Sequence, residues 1–370
     1  MKAQPHPLVS IVTPAYNEEM HLAECIESVL AQTYTNWDYT IVNNCSTDGS
    51  LEIAQRYAAR DPRIRVVGND RLLPIIENHN HTIRQISSDS KYCKFVFADD
   101  WLYPACIEEM VRTAERHPSV GLVGAYGTDG QNVLWTGVSG RIYELQPPYR
   151  NHMVPGPEVC RSNLLGGPYV FGTMTSLLVR SDLIRKRPVF FNQQNLHADQ
   201  ESCLSILQES DFGFVHQVLS FSRPREQSNG SFAKQFDSIE LGDFVIFLRY
   251  GPVFLQETDY RKRLGEKRRE YHRVLAKNIL RIRSKEFWEY HKHTLEAFGS
   301  RIDRWLLARL VLVDLVSKLL HPLNAIRRGW RWWSRALRRV SPGNPLVRAQ
   351  RSTSTVSTLG AVVGARPGKR

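Results

Sequence analysis

The amino-acid sequence predicts an α/β fold in which a mostly parallel central sheet is flanked by helices. Short apolar runs rich in β-branched residues alternate with segments of helical periodicity through residue 126. Strands separated by helices at this interval are typical of a parallel sheet that is covered on both faces. A long, charged segment of helical character at 236–298 adds a C-terminal helical extension.

Local patterns define the elements of the sheet. The run LVSIVTP is strongly apolar and stops at Pro14, and Leu22, Ile26 and Val29 then recur on one helical face. The turn STDGS, which follows the second strand, offers side chains that can cap the next helix. The predicted strands are 8–14, 39–44, 64–69, 93–98 and 120–126, and the predicted helices are about 22–32, 51–60, 76–87 and 104–116.

The rest of the chain is less regular. Residues 127–170 are rich in Gly and Pro, which predicts long loops over the site instead of new core. A strand with a helix start is predicted at 170–184, a helix at 195–210 and a strand at 212–223. The predicted organisation is a folded domain at 1–225, a helical extension at 226–300, amphipathic basic and aromatic helices at 301–341, and a disordered tail at 342–370.

The net positive charge of the chain comes from its C-terminal end. The formal net charge is +12, and twelve Lys and Arg residues follow Asp314 with no acidic residue among them. Residues 1–314 are therefore formally neutral. Because nucleic-acid enzymes usually surround their site with cations, this distribution argues against a nucleic-acid partner.

This basic end contains two different patterns. The apolar run 305–316 includes Arg309 and Asp314 and is too short to span a bilayer. Segment 325–340 places apolar and aromatic residues on one helical face and arginines on the other, which fits a helix lying in an anionic membrane interface. Packing of this helix on the body of the protein or on a partner is the alternative.

The cysteines and the N-terminus bear on location. The six cysteines include no C-x-x-C pair, and most lie in apolar stretches, which indicates reduced, structural thiols. The first residues lack the apolar core of a secretory signal. We therefore expect a cytoplasmic protein, with a peripheral contact to the cytoplasmic face of the membrane if segment 325–340 binds there.

Polar clusters stand at the carboxyl ends of four predicted strands. They are PAYNEE (14–19), NNCSTD (43–48), GND (68–70) and ADD (98–100). In a parallel sheet these ends share one edge, where ligands bind. The adjacent carboxylates of Asp99 and Asp100 repel each other unless a cation lies nearby. The pair indicates either a divalent metal site or a strand-end turn with a helix cap.

Three segments together resemble the family 2 glycosyltransferases, inverting enzymes built on the nucleotide-sugar-binding GT-A fold. They are VSIVTPAYNEEMHLAECIESVLAQTYTNWDYTIVNNCSTDGS (9–50), FVFADDWLYP (95–104) and HADQESCLSILQ (197–208). The resemblance covers about residues 8–225. It implies sugar transfer from a nucleotide-diphosphate-sugar donor to a hydroxyl of a saccharide or lipid-linked acceptor, in glycan, lipid-linked saccharide or cell-surface polysaccharide synthesis.

The resemblance implies a nucleotide pocket at the end of the first strand. An aromatic ring offers a face to a flat base, and a carboxylate accepts hydrogen bonds from ribose hydroxyls. Tyr16 is expected near the base or ribose, although ordinary strand-end packing would also explain it. Asn43 and Asn44 replace the family's usual aspartates, and Asn44 is expected to contact the donor without the charge-assisted part of the bond. The residues that match the pocket wall are Pro14, Ala15, Tyr16 and Glu18.

The resemblance also implies a metal site. Asp100 is expected to bind Mg²⁺ or Mn²⁺ against the diphosphate of the donor, and Asp99 to support the sugar or the loop. Ala98 occupies the position where many relatives have a first aspartate, so the implied site has few protein ligands. One or two carboxylates plus phosphate oxygens are enough for such a cation, which neutralises the departing diphosphate.

Asp199 matches the position of the family's catalytic base. A carboxylate there would take the proton of the acceptor hydroxyl while the anomeric carbon is inverted. Ala198 replaces the usual Glu before it, and His197 or Glu201 could tune or replace the base. Asp199 could instead serve only as a cap of the helix that begins there.

Other function classes fit less well. A dehydrogenase is disfavoured because the first strand runs into TPAYNEE with no G-x-G-x-x-G. A processive polysaccharide synthase is disfavoured because no Gln-x-x-Arg-Trp follows Asp199. A catalytically weakened nucleotide-sugar-binding or scaffold protein on the same fold is the alternative hypothesis, because positions 43, 44, 98 and 198 depart from the family pattern.

Overall fold

A computed structural model of the protein describes residues 6–134, 152–195, 197–224 and 235–320. Residues 1–308 form one compact unit, and the chain from Arg309 onward forms a second. The predicted membrane helix at 325–340 and the predicted disordered tail lie outside the described residues.

The described residues contain the following elements. The strands are β1 (Val9–Ala15), β2 (Trp37–Asn43), β3 (Ile64–Gly68), β4 (Tyr92–Phe95), β5 (Trp101–Leu102), β6 (Val120–Thr128), β7 (Val133–Leu134), β8 (His152–Val154), β9 (Leu177–Arg180) and β10 (Asp211–Phe221). The helices are α1 (Leu22–Leu30), α2 (Ser50–Ala58), α3 (Ile75–Ile83), α4 (Cys106–Arg116), α5 (Gly156–Leu164), α6 (Ser181–Arg185), α7 (Ala198–Ile206), α8 (Ser238–Phe254), α9 (Glu257–Ile279), α10 (Lys285–Ala297) and α11 (Arg304–Leu320). A 3₁₀ turn, Met174–Ser176, precedes β9.

The strands form one sheet with the order β3-β2-β1-β4-β9-β6-β10-β5, to which β7 and β8 add at β6 and β10. Neighbouring strands are parallel from β3 through β4 and again between β6 and β10. The antiparallel strand β9 separates these two parallel groups. The predicted α/β fold with a mostly parallel sheet is thus confirmed.

The interior of the sheet explains why its strands are continuously apolar. All seven residues of β1 are buried, because helices cover both faces of the sheet. Successive side chains of a strand point to opposite faces, so Ile11 belongs to one cluster of buried residues and Val12 to the other. The cysteines are free thiols, and all but Cys45 are buried, which agrees with the structural role predicted for them.

The expectation that 127–170 forms only loops is wrong for residues 152–164. This stretch forms β8 and α5, and Val159, Cys160 and Leu164 of α5 enter the core. Pro155 and Pro157 flank the start of the helix, where a fixed φ and a missing N–H are tolerated. The Gly and Pro content therefore concealed a short helix with only a narrow apolar face.

The helical extension packs on the body of the first unit. His197 Nε2 lies 3.1 Å from the carbonyl oxygen of Ser238, at the start of α8. Gly242 of α8 faces the same imidazole ring, and a Cβ on this glycine would lie 2.0 Å from His197 Cδ2. Only glycine therefore permits this approach of α8 to the start of α7. Within the described residues, no helix combines the length and apolar character that a bilayer crossing requires.

A buried histidine connects α9 and α10 inside the extension. The Tyr271 hydroxyl donates to His291 Nδ1 at 2.8 Å, and His291 Nε2–H donates to the carbonyl oxygen of Phe236 at 2.8 Å. In a neutral imidazole these directions are fixed, because the proton on Nε2 leaves Nδ1 as an acceptor. Burial of the ring lowers the pKa of His291 to about 4.

We therefore expect the protein to lose stability as the pH falls from about 6.5 to about 4. The unfolded chain binds a proton at His291 in this interval and the folded chain does not, so the loss due to His291 is about 3 kcal/mol in the free energy of unfolding. Urea unfolding at several pH values measures it. The His291→Phe variant should show a shallower slope, and a slope equal to that of the wild type would contradict the assignment.

Candidate functional site

The loops that follow β1 and β2 are joined by hydrogen bonds at the carboxyl edge of the sheet. The backbone N–H groups of residues 17, 18 and 19 donate to Ser46, Ser50 and Asp48, with distances of 3.1, 2.7 and 3.0 Å, respectively. Asp48 also accepts from the Ser50 hydroxyl, and its hydrogen bonds lower its pKa. Side chains in and just after the predicted cluster 43–48 thus fix the backbone of the predicted cluster 14–19.

The predicted pocket residues at the end of β1 divide into buried and exposed groups. Pro14 and Ala15 are buried within the strand, and the Ala15 carbonyl accepts from the Asn44 N–H at 2.8 Å. Tyr16 is 45% exposed, and Glu18 is half-buried. The Tyr16 ring is therefore accessible to a flat ligand, as the resemblance implies, while Pro14 and Ala15 can contribute only the strand end below it.

Asn44 has an internal role that the sequence did not indicate. Its Nδ2 donates to the Leu73 carbonyl at 2.9 Å, and its Oδ1 accepts from the Leu73 N–H and from Asn69 Nδ2. Only an amide can donate and accept in this way, whereas an aspartate would face the Leu73 carbonyl with a negative charge. The side chain is buried, so its hydrogen bonds join the ends of β2 and β3 and leave no support for the expected contact with the base.

Asp100 is likewise turned into the protein. Asp100 is 4% exposed. Its Oδ2 accepts from the Thr175 hydroxyl at 2.7 Å, and its Oδ1 accepts from the Arg223 backbone N–H at 3.0 Å. Arg223 Nε also donates to the Asp99 backbone carbonyl at 3.1 Å. The carboxylate of Asp100 therefore fastens three chain segments together, and this geometry disfavours it as the metal ligand that the sequence predicted.

The metal ligands available near Asp99 are few. Across the described parts of the chain, no three His, Cys, Asp or Glu side chains converge in a way that could bind a metal ion. Asp99 is half-buried beside the buried Asp100. A single carboxylate fits Mg²⁺ or Mn²⁺ only when phosphate oxygens and water complete the coordination, which is how Mg²⁺ commonly binds with nucleotides.

A buried lysine positions this region, and sequence reasoning missed it. Lys94 of β4 is fully buried, and its Nζ donates to the carbonyl oxygens of Thr175 and Leu177 at 2.6 and 3.1 Å. Burial lowers the pKa of Lys94. A lysine inside the apolar run CKFVFA was the available signal, because a buried cation requires nearby acceptors. Arg223 gave no comparable signal, since it follows a strand at an unremarkable position.

Asp199 lies in the first turn of α7. Its Oδ1 accepts from the Gln200 N–H at 2.8 Å, and burial raises the pKa of the carboxyl group. Burial also raises the pKa of Tyr169, and the charge of Asp199 adds to that effect. A carboxylate with a raised pKa is a stronger base than an ordinary aspartate, which suits proton abstraction from a hydroxyl.

His197 and Glu201 have structural partners. Glu201 is buried and accepts from Asn192 at 3.1 Å, Asn195 at 2.9 Å and Arg249 at 2.5 Å. His197 faces the start of α8 through its contacts with Ser238 and Gly242. These contacts fix the chain on either side of Asp199. The structure thus gives both residues a positioning role and disfavours either as a replacement base.

Comparison with known proteins first shows similarity in sequence. Residues 10–182 match the family model described as Glycosyl transferase family 2. An uncharacterized glycosyltransferase of Haemophilus influenzae is 28% identical over 193 residues, which are 52% of this chain and 58% of that protein. The putative glycosyltransferase EpsE of Bacillus subtilis is 34% identical over 136 residues, covering 35% of this chain and 48% of the relative. The chain thus spans about half the length of these relatives.

Solved structures give the fold. Residues 1–349 of S. aureus TarS, crystallised with UDP-GlcNAc, superimpose with a TM-score of 0.57 at 16% identity, covering 91% of this chain and 93% of that one. At this identity the likeness shows a shared fold, which confirms the expected GT-A architecture. The family match over residues 10–182 and this shared fold agree with the resemblance to the family 2 glycosyltransferases.

Proposed function

We propose that the protein is an inverting glycosyltransferase that moves a sugar from a nucleotide-diphosphate-sugar donor to a hydroxyl of a saccharide or lipid-linked acceptor. The observation that carries this proposal is Asp199, a carboxylate whose pKa burial raises, at the start of a helix. Hydrogen bonds of His197 and Glu201 fix the chain on both sides of Asp199, which is the preorganisation that a general base needs.

The donor class is supported by the relatives and by the end of β1. TarS was crystallised in complex with UDP-GlcNAc, and the putative TuaG of Bacillus subtilis, named for teichuronic acid biosynthesis, is 35% identical over 94 residues. We infer that Tyr16 stacks on the base or ribose of such a donor and that Glu18 accepts from a ribose hydroxyl. Synthesis of a cell-surface polysaccharide is the corresponding biological role.

A divalent cation belongs to this proposal. Mg²⁺ or Mn²⁺ bound with the donor would neutralise charge on the leaving diphosphate. We assign its protein ligand to Asp99, because the buried oxygens of Asp100 already accept bonds from Thr175 and Arg223. Asp100 instead fixes the backbone on which Asp99 stands.

The proposed step is a single displacement. The Asp199 carboxylate accepts the proton of the acceptor hydroxyl while that oxygen forms a bond to the anomeric carbon. The bond from this carbon to the diphosphate breaks at the same time, and its electron pair leaves with the diphosphate. Attack on the face opposite the leaving group inverts the configuration. A catalytically weakened donor-binding protein is the alternative, and failure of the wild type to turn over any of a broad panel of donors and acceptors would favour it.

Asp199→Asn should lower kcat by about 10²- to 10⁴-fold and leave the Kd for the donor nearly unchanged, because the amide cannot take a proton. The acidic limb of the wild-type kcat/KM profile should lie above the ordinary aspartate pKa of 3.8, since burial raises the pKa of Asp199. Steady-state kinetics and calorimetry measure the two quantities. Asp259→Asn, at a surface ion pair with Arg161, is the control; undiminished turnover by Asp199→Asn would remove it from the mechanism.

Asp99 and Asp100 should respond differently to replacement by Asn. Asp99→Asn should abolish the increase in Tm that Mn²⁺ adds to donor binding. Asp100→Asn should destabilise the free protein by about 1–3 kcal/mol. The amide has only one oxygen, so it cannot accept from both Thr175 and Arg223 as the two carboxylate oxygens do. Thermal shift with and without donor and Mn²⁺ separates the two. If only Asp100→Asn removed the response to Mn²⁺, our assignment would be reversed.

A further inference from the structure

A groove lies at the far end of the helical extension, formed by the end of α9, by α10 and by the segment that leads into α11. Its volume is about 840 Å³. Its floor is apolar, with the partly buried Trp288 and the well-buried Leu307. The side chains on which our proposal rests are Ile279, Ile282, Trp288, Lys292, Arg301 and Arg304.

Ile282, at the edge of this groove, combines a strained backbone with an exposed apolar side chain. Its side chain is 91% exposed, and its backbone has a φ of +52°, a conformation that β-branched residues rarely adopt. Ile279, one turn earlier, is 39% exposed, and Trp305, next to Arg304 in sequence, is 89% exposed. A strained residue that presents an apolar side chain to water, among other exposed apolar groups, indicates a surface that another molecule covers.

The charge of the groove selects the kind of molecule. Four of the described residues that line it are cations, and Glu296 is the one carboxylate among them. Arg283 is neutralised by Asp237 at 3.5 Å, and Lys292 lies 4.0 Å from Glu296. Within the described part of the chain, neither Arg301 nor Arg304 has a carboxylate partner. An occupant of this groove must therefore be both apolar and negatively charged.

We propose that this groove binds an anionic phospholipid, so that the helical extension docks on an anionic membrane surface. The phosphate of the lipid meets Arg301 and Arg304, and its glycerol and upper acyl carbons lie on Trp288 and Ile282. A second copy of the chain would place the same cations opposite each other. The chain's own segment 325–340 is also cationic and so lacks the required charge. The proposal goes beyond sugar transfer and does not depend on it.

The test is flotation of the full-length protein with phosphatidylcholine vesicles, with and without phosphatidylglycerol. Wild-type protein should float with the anionic vesicles. The double variant Arg301→Gln/Arg304→Gln should bind them about thirtyfold more weakly, because it loses two cations that each contact anionic lipid. Ile282→Asn should weaken binding about tenfold through the lost apolar contact. Asn tolerates a positive φ, so this variant should be folded as well as the wild type, as thermal unfolding will show.

Matched controls remove the same groups elsewhere. The control Arg56→Gln/Arg60→Gln removes two exposed cations, one in α2 and one just after it. The control Ile239→Asn replaces an isoleucine of α8 that is 54% exposed. Both should bind within about twofold of the wild type. Inorganic phosphate at matched ionic strength should not displace the protein from the vesicles.

Three outcomes would overturn the proposal. They are wild-type binding by Arg301→Gln/Arg304→Gln, equal weakening by the control double variant, and displacement by inorganic phosphate, which would indicate a site for small anions. Transfer from a water-soluble donor to a water-soluble acceptor should be unchanged in the groove variants. Loss of lipid binding with intact transfer would therefore support the groove independently of catalysis, and absence of transfer in all proteins would count only against the proposed enzyme.

Discussion

The buried ammonium group of Lys94 is the constraint on which the candidate site depends. A cation without water must find acceptors, and Lys94 finds them in the carbonyl groups of Thr175, in the 3₁₀ turn, and of Leu177, the first residue of β9. The turn is thereby fixed against β4. Thr175, on the same turn, accepts from the Phe97 N–H at 3.2 Å and donates to Asp100. One buried charge thus sets the place of the turn and, through Thr175, the backbone at Asp99. The bond from Lys94 to Leu177 also holds the start of β9, the antiparallel strand that lies between the two parallel groups of strands.

Much of the fold followed from the sequence because its signals are local or topological. Apolar runs and helical periodicity located the elements up to β6, except the two-residue strand β5, to within a few residues, and parallel order alone brought the strand ends to one edge. The antiparallel direction of β9 was not accessible, because it depends on contacts between residues far apart in sequence. Helix α5 was missed because the two prolines that flank its start resemble loop signals and its apolar face is narrow.

The roles of the individual polar side chains were the least predictable part of the site. Two neighbouring aspartates are equivalent in a sequence, and only the positions of Thr175 and Arg223, 75 and 123 residues away from Asp100, make Asp100 an internal anchor. The same holds for Asn44, whose amide group is explained by the backbone of Leu73 and not by a ligand. The sequence therefore located the loops at the strand ends, while long-range hydrogen bonds determined which polar side chains of these loops are buried.

The helical extension contacts the residues on both sides of Asp199 and is not an independent addition to the body. Arg249 of α8 supplies a charged partner to Glu201, and Gly242 allows the His197 ring to lie directly against the helix. A shift of α8 would therefore disturb the residues on both sides of Asp199. The groove that we assign to anionic lipid lies in the same compact unit, formed by the helices that follow α8. If the acceptor is lipid-linked, docking through this groove would hold the unit that contains Asp199 at the membrane surface where such an acceptor is found. The extension would then contribute to catalysis by restricting the search for the acceptor, without contacting the reacting atoms.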